Sequence, residues 1–169
     1  MKNHPEPWLR GTWTEVPAVP RAVLHALELA HEDLQKWCGE LTAEELHAHP
    51  LGLAPVAFQL RHIARSLDRL LTYAEGRELS DEQLSALGNE LQAPESRSEL
   101  FAELAAAFAR SAERIRNVGT ASLEEPRTVG KKKLPSTLGG LLVHVADHTQ
   151  RHVGQAVITA KILQGQRKD

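Results

Sequence analysis

A chain of 169 residues, 41% of them hydrophobic, can build one apolar core without staples, and its single cysteine, Cys38, excludes an internal disulfide or a zinc site made of several thiolates. Its 20 basic and 22 acidic residues leave a formal charge of −2, so no global field favours nucleic acid or an anionic membrane. No apolar stretch approaches membrane-spanning length and no apolar run follows the basic residue near the N-terminus, which points to a soluble protein of the reducing cytoplasm.

Residues 1–19 are proline-rich and read as an irregular arm whose Trp8 and Trp13 dock on the domain. Pro20 suits a first helical turn, and Val23, Leu24, Leu27, Leu34 and Cys38 place an apolar series at helical spacing over residues 21–38. His31 falls on that face and His25 off it, which makes His31 the expected buried member. A hydrogen-bonded core histidine is its simplest role, with support of a metal site the alternative. Thr42 and Glu45 have capping-box spacing and open a short helix before Pro50 and Gly52 break the chain; His47 and His49 in this connection read as loop residues.

A second long helix runs from Pro55 to about Glu75, stopped by Gly76, with Val56, Leu60, Ile63, Leu67, Leu70 and Ala74 as its seam. His62 lies on the flank of that seam with Gln59, Ser66 and Tyr73. Ser80 and Gln83 start a short helix to about Leu91, ended by Pro94. Ser96 and Glu99 cap a third long helix with an apolar stripe from Leu100 to Val118. Residues 120–135 read as a loop whose Lys131, Lys132 and Lys133 form a solvated tip, with a short extended piece at 127–129.

A fourth long helix, from about Ser136 to Leu163, carries His144, His148 and His152 at four-residue spacing. Its three-four seam runs Leu138, Leu141, Val145, His148, His152, Gln155, Thr159 and Ile162, so two imidazoles and an amide are expected to face the interior. Burying them without partners costs on the order of 1–3 kcal/mol each, whereas one divalent ion satisfies two rings at once. By the helical rise His144 and His152 are about 12 Å apart along the axis, too far to share an ion. One adjacent pair must serve, with a further ligand from another helix. The class is all-α: a four-helix bundle with short connecting helices at residues 20–165, the arm before it and a polar tail at 166–169.

His62 within QLRHIARSLDRLLTYAEG, together with the later HVADHTQRHVGQ, resembles the two halves of the DinB-like superfamily pattern, over roughly residues 21–163. The resemblance implies a metal held by His62, His148 and His152, the last preceding Val153, Gly154 and Gln155. Three neutral imidazoles leave a coordination position open, as in catalytic rather than structural zinc sites, where the ion lowers the pKa of water or a thiol. The implied activities are transfer of a low-molecular-weight thiol of the bacillithiol or mycothiol type to an electrophile, or metal-assisted hydrolysis. A small-molecule substrate and a homodimer follow from the same resemblance. Zinc and nickel lead the candidate ions, since an all-imidazole set also accepts copper, cobalt and iron. His144, Gln155, Gln59, Ser66, Tyr73 and His31 are candidates for the pocket or for support of the ligands.

No carboxylate other than Asp147 accompanies the histidines in sequence, and it projects about 100° around the helix from His148. With no evident general base, thiol transfer is favoured over hydrolysis. The di-iron pattern fails, since only Glu28 and His31 have its spacing on a long helix, and no metalloprotease, phosphate-loop or dinucleotide motif is present. The remaining alternatives are a non-catalytic metal-binding bundle, in a structural, stress-response or dimer-interface role, and an interaction protein with a polar core.

Overall fold

The computed structural model describes residues 4–88 and 96–167. Its long helices are α1 (Ala18–Cys38), α3 (Val56–Ala74), α5 (Arg97–Arg116) and α6 (Leu138–Gln166), with short α2 (Ala43–His47) and α4 (Asp81–Gly88) in the connections. A two-stranded antiparallel hairpin, β1 (Pro126–Val129) and β2 (Leu134–Thr137), precedes α6. The expected loop at 120–135 is therefore partly this hairpin. Gly130 and Lys133 turn it with positive φ, and Lys131, Lys132 and Lys133 are exposed at its tip.

Local chemistry sets the helix starts. Thr42 with Glu45 and Ser96 with Glu99 form reciprocal capping boxes, and Ser80 with Gln83 exchanges the same two bonds before α4. The expected end of that short helix, at Leu91 and Pro94, lies outside the described residues. Thr137 caps α6 by accepting from the Gly140 amide, and the turn before it is tight: the Gly139 amide donates to the Leu123 carbonyl at 2.8 Å. A Cβ at Gly139 would stand 3.1 Å from both the Leu123 oxygen and its Cβ, so glycine permits this approach.

Cross-links between helices fix their directions. Gln150 donates to the Ala26 carbonyl and Gln164 to the Trp37 carbonyl, so α1 and α6 run parallel. Arg65 meets Glu103, and Arg114 meets Asp68 and Glu75, so α3 and α5 also run parallel. His31 packs on Phe108 while Arg97 reaches the Gly39 carbonyl, so α5 runs against α1. The helices form a ring in the order α1, α6, α3, α5. Parallel neighbours cannot be joined by a short turn, which explains the long connection from α3 to α5 that carries α4.

Leu24, Leu34, Leu60, Ile63, Leu67, Leu104, Ile115 and Leu142 fill the middle of the bundle, all essentially inaccessible. The arm lies along α1, but of the two tryptophans expected to dock only Trp13 does: Trp8 is 60% exposed and donates its indole N–H to Glu6 within the arm. Arg10 binds Glu32 through both terminal nitrogens at 2.6 and 2.8 Å, Trp13 donates its indole N–H to Glu28 at 2.7 Å, and the Thr12 hydroxyl lies 3.1 Å from His25 Nε2. That last contact reverses the expectation for α1. His25, not His31, is the buried histidine, at 9% exposure, because the arm covers the side of α1 that a helical wheel assigns to solvent. His31 is half-buried against Phe108.

Candidate metal centre

The α3 and α6 helices meet antiparallel, and their contact brings together residues nearly ninety positions apart. Gln59 and His62 project one turn apart from α3, and His152 and His148 stand one turn apart on α6, so the two pairs align rung to rung. The Nε2 atoms of His62 and His148 are 3.1 Å apart. The His152 ring lies 4.3 Å from that of His62 and 4.6 Å from that of His148, centre to centre. One nitrogen from each of the three falls within 4.8 Å of the others. All three rings are half-buried, at the edge of the bundle rather than in its middle.

The donor set suits a cation. Two imidazole nitrogens at 3.1 Å either share a single proton or turn both lone pairs toward a positive centre. Bonds of 2.0–2.1 Å in a tetrahedron put neighbouring nitrogens about 3.3 Å apart, close to this separation. The His148 pKa is pushed down to about 4, chiefly by burial and then by His152 and His62 beside it. The ring is therefore neutral at pH 7, the form that ligates.

The surroundings divide the other candidates. Gln59 is buried, at 3% exposure, and its Oε1 lies 2.7 Å from His152 Nδ1. His144 stacks beside His148 with ring centres 5.4 Å apart, and its Nδ1 is 2.9 Å from an Asp147 oxygen, so it borders the cluster without joining it. Asp147 also receives a bond from Arg151 at 3.1 Å. Ser66 is buried but donates back to the Ile63 carbonyl within its own helix. Tyr73 lies three turns further along α3, lining a cavity of about 300 Å³ with Leu84 and Lys131 near the hairpin tip. His31 belongs to the α1–α5 contact.

Gln155 is a correction. The three-four seam put it with His148 and His152 in the interior, but it is exposed, and α6 buries Val145, Thr149, Val153, Ala156 and Ala160 instead. Apart from the Thr149 hydroxyl, those side chains pack without desolvating a polar group, so the helix is rotated to carry the imidazoles on the flank. Sequence reasoning also missed Phe58, whose ring stacks on His62 at 5.4 Å with a 23° tilt. It stands four residues before His62 on the same helical face, a spacing that could have exposed it.

Among the described residues no helix is long and apolar enough to cross a membrane. No curated protein matches this sequence. Among solved structures, YfiT from Bacillus subtilis, described as a probable metal-dependent hydrolase with an unusual four-helix bundle topology, shares the fold. The two align with a TM-score of 0.62 at 17% identity, over 86% of this chain and 87% of that one. The sequence profile of the DinB superfamily matches residues 26–156, which span the first long helix to the second half of the last. The chain belongs to the DinB superfamily.

Proposed function

We propose that this protein is a divalent-metal enzyme acting on a small molecule, with His62, His148 and His152 as the ligands. The observation that carries the reading is the convergence of three imidazole nitrogens within 4.8 Å of one another at the rim of α3 and α6. A divalent ion held there supplies Lewis acidity, lowering the pKa of a water or thiol that reaches it. Zinc or nickel fits an all-imidazole set. Partial exposure of the three rings leaves an approach from solvent, and Phe58 walls one side of His62.

The reaction we favour is transfer of a low-molecular-weight thiol of the bacillithiol or mycothiol type to a small electrophile. Its support is the state of Asp147, the carboxylate next to His148 in the chain: it is engaged by His144 and Arg151 and is not part of the three-nitrogen cluster. A thiol needs no separate base once its pKa is lowered. Hydrolysis is the second reading, and YfiT, described as a probable metal-dependent hydrolase, favours it. A homodimer is part of the proposal, by family resemblance, and so is a cytoplasmic location, from the single cysteine.

Elemental analysis of the purified protein tests the first step, with near-stoichiometric divalent metal expected. Metal content that is negligible, and unchanged by His148→Ala, would reject the metal-enzyme reading. With metal present, consumption of thiol against a panel of electrophiles supports transfer, release of acid from esters and amides supports hydrolysis, and neither leaves a metal-binding bundle without catalysis.

A further inference from the structure

We infer that Gln59 is a positioning residue: its carbonyl oxygen holds the proton of His152 on Nδ1, so that Nε2 is the nitrogen His152 presents to His62 and His148. The inference rests on the three-histidine reading for its consequence and for the zinc arm of its test, but not for the tautomer arm.

A neutral imidazole carries one proton on either of two nitrogens, and only the bare nitrogen can accept a cation. In water the two tautomers interconvert freely. In this protein Gln59 Oε1 sits 2.7 Å from His152 Nδ1, and the amide is 3% exposed, so no solvent competes for that oxygen. An oxygen only accepts, so the bond exists only when Nδ1 bears the proton. Gln59 stands one turn before His62 on α3, a helix whose Val56, Leu60 and Ile63 are also buried. The residue that orients one ligand and the residue that is another ligand are thus on one rigid helix.

The choice of an amide has a further consequence. A carboxylate at this place would also accept from Nδ1, and it would push negative charge onto the ring and strengthen it as a ligand. The amide orients the ring without adding charge. A cation held by three neutral imidazoles and supported by a neutral amide keeps its full positive charge for the molecule that approaches from solvent. This fits the attraction of an anionic co-substrate such as a thiolate, and the variant that inserts a carboxylate should bind metal more tightly.

The test uses the whole protein with ¹⁵N-labelled histidine, as parent, Gln59→Met and Gln59→Glu. Long-range proton–nitrogen correlation of the metal-free protein at pH 7.5 should show His152 protonated on Nδ1 in the parent and in Gln59→Glu, and a tautomer mixture in Gln59→Met. A parent whose His152 carries its proton on Nε2 would overturn the inference. In a chelator competition with zinc alone, Gln59→Met should bind about 10–100-fold more weakly than the parent, and Gln59→Glu as tightly or more tightly. Equal zinc affinity of parent and Gln59→Met, with matching melting curves, would also overturn it. Should no form bind zinc, the three-histidine reading fails, and the tautomer measurement on the parent alone decides the role of Gln59.

Discussion

His62 and His148 face each other Nε2 to Nε2 at 3.1 Å, although 86 positions separate them in the chain. One of the two nitrogens must carry a proton for that approach to be attractive, or both must face a cation. His152 stands within ring contact of both, which turns a pair into a three-sided nest at the seam of α3 and α6. The same contact ties the middle of the two helices together, so occupation of the nest and stability of the bundle are linked.

That linkage is measurable. A ligand at about 100 times its dissociation constant stabilises the state it binds by about 2.7 kcal/mol. For a domain of this size, this raises the melting temperature by about 5–10 °C. Excess zinc should produce such a shift in the parent and none in His148→Ala or His62→Ala, while His144→Ala keeps it, because His144 lies outside the three-nitrogen cluster. Loss of the shift in His144→Ala would move the site one turn toward the start of α6.

The depressed His148 pKa predicts how metal-free protein responds to acid. An ordinary histidine titrates at 6.5, and this one at about 4 in the fold. Between those values the unfolded chain takes up a proton that the native chain refuses. Stability is therefore full above about pH 6.5 and declines as pH falls toward 4. Because the ring is only half-buried, the loss is on the order of 1–2 kcal/mol, below the full linkage value. Urea unfolding at pH 7.5 and pH 4.5 should show this loss in the parent and a smaller one in His148→Asn; equal losses would assign the acid sensitivity to other groups.

The parts that were legible before folding are those set by local chemistry. Thr42 with Glu45, Ser96 with Glu99 and Gly76 after α3 mark helix ends through bonds within a few residues, and they stand where their spacing puts them. Four-residue spacing of His148 and His152 is local too. What spacing cannot carry is which way a helix turns once its neighbours arrive. Gln155 lost its interior place because Val153 and Ala156, which carry no polar group to desolvate, are buried there instead. His25 became buried because an irregular arm, with no periodicity to read, lies over it. His62 needed the resemblance, since its flank position on α3 becomes meaningful only when α6 is set beside it.

Cys38 provides a control for any thiol chemistry. It is fully buried, and burial pushes its thiol up to about 12, so the thiolate is scarce at neutral pH and closed to reagents. Ellman's reagent should label it only after denaturation. Cys38→Ala should consume external thiol at the parent's rate in any assay where the parent does. Rapid labelling of the native protein would show that the end of α1 opens far more often than its packing implies.

Thr149 offers a test of the rotation of α6. Its hydroxyl is buried and, among the described residues, is the side-chain polar atom left without a hydrogen-bond partner, one position from His148. An orphaned hydroxyl costs about 1–3 kcal/mol, and valine has nearly the same shape with a methyl in its place. Thr149→Val should therefore raise stability by about 1 kcal/mol, which corresponds to roughly 2–4 °C in melting temperature, and leave zinc affinity unchanged. The opposite outcome, a destabilised Thr149→Val, would mean that the hydroxyl is bonded in the native state. The face of α6 assigned here to the core would then be wetter than the surrounding Val145, Val153 and Ala156 allow.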